Sequence, residues 1–165
     1  MIKTNALRLL EDAGITYETL SYEVDEEDLS GIHAAMLCGI SDAGQMFKTL
    51  VAKGKKNGIL VYCIPVEAEL DLKKCALAAQ DKRVELIPLK ELTALTGYMR
   101  GGCSPVGMKK KYPTFIDESA VLYDDIYVSA GRRGLQMKVN TERLAGFLDA
   151  GFADIIKQTG AVLLM

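Results

Sequence analysis

The chain has 165 residues, of which 49% are hydrophobic and 25% charged, and its formal net charge is −2. This length is sufficient to bury a core, and we expect one domain over residues 1–165. The acidic balance excludes a polycationic nucleic-acid-binding protein, so any nucleic-acid contact must come from a local basic patch. No apolar run approaches the roughly 20 residues that span a bilayer, and a secretory signal is not recognisable at the amino terminus. We therefore expect a cytoplasmic protein without membrane contact.

The cysteines and the histidine argue against a metal centre. Cys38, Cys63, Cys75 and Cys103 are widely spaced and include no C-x-x-C pair, which is typical of reduced cytosolic thiols rather than a zinc site. His33 is the sole histidine, and one histidine cannot form a multi-histidine centre. We expect neither a metal nor another cofactor, and we expect Cys38, Cys63 and Cys75 to be core residues.

The first half of the chain mixes helical and strand patterns. Apolar spacing predicts helices over Thr4 to Glu11 and Ile32 to Cys38, and loose alternation predicts a strand over Ile15 to Val24. Two further strands, Met46 to Ala52 and Ile59 to Val66, flank a turn signal at Asn57-Gly58 and should pair as a hairpin.

The second half continues this mixture. Asp71 is the expected N-cap of a helix over Leu72 to Gln80, Pro88 opens a helix to Leu95, and Asn140 caps one through Leu148. Four apolar runs are typical of strands: Thr114–Ile116, Val121–Tyr123, Ile126–Ser129 and Leu135–Val139. We expect Phe152 to Ile156 to extend the last helical region. Because strands and helices do not alternate regularly, the sequence predicts an α+β fold with a mixed, barrel-like sheet surrounded by helices.

Lys48 occupies an unusual position for a charged residue. Period-two alternation places it on one strand face with Met46 and Leu50, in apolar surroundings that would lower the pKa of an ammonium group. It could be an edge-strand lysine whose charge reaches solvent. Alternatively, its ammonium could orient or polarise a substrate carbonyl.

The glycine-rich segment "GYMRGGCSPVGMKKKYP", residues 97–113, is the second candidate for chemistry. It lacks the lysine of a P-loop and the G-x-G-x-x-G fingerprint of dinucleotide-binding proteins. A nucleophilic Cys103 or Ser104 would need His33 as its base. Glycines followed by Pro105 could instead form a stiff loop whose N–H groups hold a carbonyl oxygen. A plain turn between a helix and a strand is the remaining interpretation.

Three ordered motifs resemble the YbaK/EbsC family of free-standing aminoacyl-tRNA editing proteins, which is related to the editing domain of bacterial prolyl-tRNA synthetases. These motifs are "FKTLVA" (47–52), "GYMRGGCSPVGMKKKYPTFID" (97–117) and "IYVSAGRRGLQM" (126–137). Within the family, the chain looks most like the Cys-tRNA(Pro) deacylases. The resemblance implies a barrel-like sheet with helices around it, and it covers nearly the whole chain.

The resemblance also implies a set of site residues. The expected catalytic residues are Lys48, Gly101, Gly102 and Ser104. The expected substrate-binding residues are Tyr22, Thr49, Cys103, Pro105, Ser129, Gly131 and Gln136. Gln136 stands where a relative carries an acid, and the Ser30-Gly31 region lacks a phenylalanine of that relative. In related cysteinyl editing proteins the substrate's own thiol attacks its carbonyl, giving a thiolactone and free tRNA.

Three hypotheses follow from these residues. The first is an editing hydrolase acting in trans on aminoacyl-tRNA, with prolyl-tRNA synthetase as a potential partner. The second is a non-catalytic module that binds tRNA ends or synthetases in the same pocket. The third is an esterase that uses Cys103 or Ser104. Because the pI is about 5.5, we expect weak, strongly salt-dependent tRNA binding, with Arg100, Lys109, Lys110, Lys111, Arg132 and Arg133 as the local basic patch.

Overall fold

The computed structural model describes residues 3–158 and contains helices, strands and short 3₁₀ turns. The α-helices of this range are α1 Asn5–Asp12, α2 Gly31–Leu37, α3 Leu72–Ala78, α4 Leu92–Thr96 and α5 Thr141–Leu148. The predicted caps are confirmed: Asp71 accepts N–H groups at the start of α3, and Asn140 does so at the start of α5. Such caps satisfy donors that have no partner within the helix.

Within residues 3–158, eight strands form two sheets. They are β1 Tyr17–Ser21, β2 Phe47–Gly54, β3 Gly58–Pro65, β4 Val84–Leu86, β5 Thr114–Asp117, β6 Asp125–Arg132, β7 Leu135–Asn140 and β8 Gly151–Ala153. One sheet has the order β1-β7-β6 and is antiparallel throughout. The other has the order β4-β2-β3-β5-β8, with antiparallel pairs around β2 and parallel pairs around β5. The predicted hairpin between β2 and β3 is confirmed.

The two sheets meet beside the amino-terminal end of β2. Met46, immediately before β2, forms a parallel bridge with Tyr127 of β6. The largest buried cluster lies between the sheets and includes Phe47 of β2, Ile126 and Val128 of β6, and Leu144 of α5. The predicted α+β fold with a mixed sheet is confirmed, and this junction places β2 next to the β6–β7 hairpin.

Two element predictions near the carboxyl terminus are wrong. The segment Phe152 to Ile156 does not extend a helix, because Asp149 has a left-handed backbone with φ 52° that ends α5. The chain then forms β8, parallel to β5. Val121 to Tyr123 is not a strand, because the Asp117 side chain accepts the Ser119 N–H and starts a 3₁₀ turn over Glu118–Leu122.

Other differences are smaller. The predicted helix from Pro88 to Leu95 is a 3₁₀ turn, Leu89–Glu91, followed by α4. The sequence patterns missed β4, whose three residues are too few to show alternation. Cys63 and Cys75 are buried as predicted, but Cys38 is partly exposed at the end of α2, so that prediction is wrong. Among residues 3–158, no helix combines the length and apolar character that crossing a bilayer requires.

Candidate functional site

A cleft of about 530 Å³ opens between β2, α2, the β6–β7 hairpin and the glycine-rich loop. Strand β2 contributes adjacent residues to one wall, and the loop contributes Arg100, Gly101 and Cys103. Seven of the eleven residues named from the sequence line this cleft: Tyr22, Lys48, Thr49, Gly101, Cys103, Ser129 and Gln136. They come from four segments that are distant in sequence.

Lys48 is the half-buried cation of the cleft. Burial lowers the pKa of its ammonium group below the ordinary lysine value, and the negative charge of Glu69 opposes part of this shift. Glu69 itself pairs with Lys157, with 3.4 Å between Nζ and Oε2. Within residues 3–158 Lys48 forms no ion pair of its own. Its charge is therefore available to a group that enters the cleft.

Glycine is required in the loop for two different reasons. Gly101 has φ +82°, a left-handed conformation that strains other residues. At Gly102, a Cβ atom would lie 2.9 Å from the backbone nitrogen of Arg133 and 3.0 Å from the Cα of Arg132. The loop thus packs directly against the main chain of the β6–β7 turn, which holds it beside the cleft.

The backbone N–H groups of this loop divide into used and unused donors. Gly102 donates to the carbonyl of Met99 at 2.9 Å, so its N–H is already satisfied. In the described part of the chain, the N–H groups of Gly101 and Cys103 have no hydrogen-bond partner. Unpaired amides on residues that line a cleft can hold an anionic or carbonyl oxygen.

The four other residues named from the sequence lie off the cleft wall. Ser104 is fully buried, and its hydroxyl oxygen accepts the Val106 N–H at 3.2 Å. Pro105 borders a separate small cavity near Leu9 and Tyr112. Gly131 supports the cleft wall, because its N–H donates to the Ser129 hydroxyl at 3.2 Å. Gly102 packs against the main chain of Arg132 and Arg133.

Ser129 and Gln136 face each other across the β6–β7 hairpin and share the cleft wall. Gln136 is only 4% exposed, and its Oε1 has no hydrogen-bond partner among the described residues. An unsatisfied buried carbonyl oxygen carries a desolvation penalty of about 1–3 kcal/mol. A donor on a bound ligand would remove that penalty.

A nucleophilic side chain of the protein is not supported by the loop geometry. Burial raises the pKa of the Cys103 thiol to about 12, which leaves it protonated at neutral pH. The His33 Nε2 lies 3.1 Å from Asp25, and Asp28 is its other charged neighbour at 3.9 Å. In residues 3–158 His33 makes no contact with Cys103 or Ser104 that would activate either of them.

The basic patch predicted from the sequence is divided in the structure. Lys109 donates to the carbonyl of Ala94 at 3.3 Å, Lys111 pairs with Asp149, and Arg133 pairs with Glu26 at 3.5 Å. Arg100 lines the cleft instead, and within the described range it forms no ion pair. The cleft therefore contains two cations that form no ion pair within residues 3–158, Lys48 and Arg100.

Sequence reasoning missed one wall of the cleft. This wall consists of apolar residues from α2, from the end of β4 and from the segment after it, including Ile32, Leu86 and Leu89. Gly31 signals the close packing there, because a Cβ atom would lie 2.5 Å from Cγ1 of Val66. The rest of the wall is brought together by long-range strand pairing, which local patterns do not reveal.

This combination defines a small α+β domain with a cleft lined by cations and backbone amides that have no partner among residues 3–158. A family model for the aminoacyl-tRNA editing domain matches residues 29–147. The chain is 46% identical over 153 residues to EbsC of Enterococcus faecalis, to which a Cys-tRNA(Pro)/Cys-tRNA(Cys) deacylase activity is ascribed, and the match covers 93% of each chain. The chain belongs to the aminoacyl-tRNA editing domain family, as its three motifs predicted.

Two further relatives are consistent with this assignment. Over 143 residues the chain is 25% identical to the proline–tRNA ligase of Brachyspira hyodysenteriae, and the match covers 81% of this chain and 25% of the ligase. A solved structure described as a candidate trans-editing enzyme for prolyl-tRNA synthetase superposes with a TM-score of 0.77 at 23% identity. That superposition covers 95% of this chain and all of the other, and it shows that the fold is shared.

Proposed function

We propose that this protein is an aminoacyl-tRNA deacylase that edits in trans and removes cysteine from Cys-tRNA(Pro). The observation that carries the proposal is that Lys48, half-buried and without an ion pair among residues 3–158, shares its cleft with the N–H groups of Gly101 and Cys103, which have no partner in that range. The 46% identity to EbsC supports the reaction class. The match to a proline–tRNA ligase supports a substrate that such a synthetase mischarges.

In this scheme the protein positions the ester and stabilises charge, and the substrate supplies the nucleophile. The amides of Gly101 and Cys103 hold the carbonyl oxygen as it becomes negative, an effect worth about 3 kcal/mol for each donor. The Lys48 ammonium lies beside the cysteinyl thiol and raises its thiolate fraction, since a free thiol has a pKa near 8.5. Gln136 Oε1 accepts a hydrogen bond from the substrate's α-ammonium group.

The bonds and protons of the step balance without a co-reactant. The substrate's Sγ forms a bond to its own carbonyl carbon, and the bond from that carbon to the ribose oxygen breaks. The ribose oxygen takes up the proton that the thiol released. The products are a thiolactone and tRNA with a free terminal hydroxyl, and the thiolactone is later opened by water.

Under this proposal the protein itself discriminates only weakly between different tRNAs. The chain has 20 basic and 22 acidic residues, and several lysines and arginines are already paired within the protein. We therefore expect binding of bare tRNA to be weak and to fall steeply with salt. Prolyl-tRNA synthetase is the proposed source of selectivity, because it would present the mischarged tRNA.

The test is a deacylation panel with Cys-, Ala-, Ser- and Pro-charged tRNA(Pro), combined with identification of the product. We expect release from Cys-tRNA, with a thiolactone trapped before hydrolysis, and little release from Ser-tRNA, which has a hydroxyl in place of the thiol. Equal rates for the cysteinyl and seryl esters would contradict attack by the substrate thiol. Binding of Cys-tRNA without release above the background rate would instead indicate a non-catalytic module.

A further inference from the structure

The Gly101 N–H belongs to a peptide group whose carbonyl end is held by the protein. That carbonyl, of Arg100, accepts a hydrogen bond from Nε of Arg133 at 2.7 Å. The N–H of Gly101 has no partner among residues 3–158. No peptide bond in this range is cis, and in a trans peptide the carbonyl and the N–H point in opposite directions. The N–H of Gly101 therefore points away from Arg133.

The same peptide group is the centre of a β-turn. The Gly102 N–H donates to the Met99 carbonyl at 2.9 Å, and Gly101, the third residue of the turn, has φ +82°. A positive φ at that position is typical of a type II turn, whereas a type I turn has a negative φ there. The two types differ by a reversal of the central peptide group, and glycine at the third position permits both. The backbone alone therefore does not fix the direction of this N–H.

Arg133 is placed to fix that direction. It lies between β6 and β7, where the Tyr22 N–H donates to the carbonyl of Gly134 at 2.9 Å. Nη1 of Arg133 pairs with Glu26 at 3.5 Å. A Cβ atom at Gly101 would lie 3.5 Å from both Cγ and Nε of Arg133, so the arginine side chain runs along this point of the loop. Arg133 itself is not among the described residues that line the cleft.

We infer that Arg133 is a positioning residue, which holds the peptide group between Arg100 and Gly101 with its N–H directed into the cleft. The inference rests on the proposed function, in which that N–H donates to the substrate carbonyl. Arg133 acts through the peptide group and does not touch the substrate. Its hydrogen bond also polarises the peptide group, which strengthens the N–H as a donor. The sequence predicted a tRNA contact for Arg133, whereas Nε and Nη1 have partners within the protein.

Two substitutions of Arg133 separate the hydrogen bond from the charge. The amide nitrogen of glutamine is as many bonds from Cα as Nε of arginine, so Arg133→Gln keeps a donor for the Arg100 carbonyl and removes the positive charge. Arg133→Met places a methyl group at that position and removes both. We expect Arg133→Met to lower kcat for Cys-tRNA about tenfold with KM nearly unchanged, and Arg133→Gln to stay within about twofold of wild type, because only the first misdirects a carbonyl donor.

A spectroscopic readout tests the geometry without tRNA. The nitrogen chemical shift of the Gly101 amide responds to a hydrogen bond at the carbonyl of the same peptide group. We expect its NMR signal to move in Arg133→Met and to stay close to wild type in Arg133→Gln. Arg83→Met is the matched control for both readouts, because Arg83 also pairs with a glutamate, Glu85, and does not line the cleft. Thermal unfolding of each variant ensures that folded proteins are compared.

The outcomes that would overturn the inference are distinct. One is an equal kcat for Arg133→Met and Arg133→Gln, whether both variants keep or lose activity. Another is an unchanged Gly101 signal in Arg133→Met. A third is a slope of log affinity against log salt that falls by about 0.7 in both variants, which would assign Arg133 to a tRNA phosphate.

This inference and the proposed function can fail separately. If the wild-type protein deacylates no charged tRNA, the proposed function fails, and the Gly101 signal alone decides whether Arg133 holds the peptide group. If the wild-type protein is active and Arg133→Met matches Arg83→Met in kcat, the proposed function stands and the positioning role of Arg133 is wrong.

Discussion

Two clefts of similar size illustrate what distinguishes a candidate active site from a surface depression. The cleft beside Lys48 measures about 530 Å³, and a second one beside Lys74 and Lys157 measures about 590 Å³. Each is lined by a residue whose buried side-chain oxygen has no hydrogen-bond partner in the described part of the chain, Gln136 in the first and Ser119 in the second. Neither the volume nor the presence of one unsatisfied group therefore distinguishes the candidate active site from the second cleft.

The two clefts differ in whether their cations form ion pairs. In the second cleft Lys74 pairs with Asp154 at 3.1 Å and Lys157 pairs with Glu69 at 3.4 Å. In the first, Lys48 and Arg100 form no ion pair within residues 3–158. A lysine with a carboxylate partner has its charge compensated within the protein, whereas burial of a lysine without one costs stability that a bound anionic group would recover.

The largest expected effect comes from removing Lys48 of the first cleft, with the removal of Lys74 from the second cleft as the matched control. Lys48→Ala should lower kcat/KM for Cys-tRNA(Pro) by about 10²–10³-fold, because it removes a charge that stabilises the reacting group. Lys74→Ala should leave deacylation unchanged. Single-turnover deacylation assays on both variants provide the measurement. Similar losses in the two variants would show that the unpaired lysine has no special role.

The thermal stability of a Lys48 variant gives a second measurement of the role of this lysine. Burial lowers the folded-state pKa of Lys48, so the folded state binds this proton less tightly than the unfolded state and stability rises with pH toward the ordinary lysine pKa. Lys48→Met removes the penalty, and its Tm at neutral pH should equal or exceed that of wild type. A Tm lower by about 3 °C, roughly 1 kcal/mol in a chain of this size, would mean that Lys48 stabilises the fold.

The pH dependence of the reaction should follow the same shift. Activity that needs the Lys48 ammonium is lost as pH rises through its folded-state pKa, which lies below the ordinary lysine value. Lys48→Arg keeps the charge at all accessible pH values, so its residual activity should lack this alkaline decline. Rates are measured against spontaneous ester hydrolysis at each pH. An identical alkaline limb in Lys48→Arg would assign the decline to another group.

A smaller effect is expected from removing the unsatisfied oxygen of Gln136, with the removal of the Ser119 hydroxyl as its control. Gln136→Leu removes an unpaired buried carbonyl, so the free energy of unfolding in urea should rise by about 1 kcal/mol, while KM for Cys-tRNA should rise about fivefold through the lost α-ammonium contact. Ser119→Ala in the second cleft should leave KM unchanged. Unchanged KM in both variants would remove Gln136 from the substrate site.

The smallest effect is expected at Cys103. Because burial raises the pKa of its thiol to about 12, iodoacetamide at neutral pH should modify the more exposed Cys38 first. Cys103→Ala should keep kcat/KM within about threefold of wild type, since the proposed role of this residue resides in its backbone N–H. A loss of 100-fold would restore the hypothesis of a protein nucleophile.

The sequence predicted the elements whose signals are local. Asp71 and Asn140 capped helices as expected, and Asn57-Gly58 joined β2 to β3. The alternation around Lys48 predicted a lysine beside apolar neighbours, and in the structure Lys48 is half-buried. The motifs also predicted the family, because the residues of "FKTLVA" and the glycine-rich loop occur in order along the chain.

Elements that depend on distant partners were not predictable in this way. Phe152 lies in β8 only because β5 offers an open edge for parallel pairing, and local apolar spacing could not distinguish that from a helix. The site prediction has the same limit. Gly102, Ser104 and Gly131 belong to the same motifs as Gly101, Cys103 and Ser129, yet only the latter three line the cleft.

By itself, then, the sequence determined the family, the fold class and one of the cations that line the cleft, Lys48. Only the tertiary structure decided which of those cations are paired, which loop amides remain free, and that an apolar wall from α2 and β4 completes the cleft. The physical reason is that charge pairing, hydrogen-bond satisfaction and burial depend on groups brought together from distant parts of the chain. Local sequence periodicity does not indicate which of those contacts form.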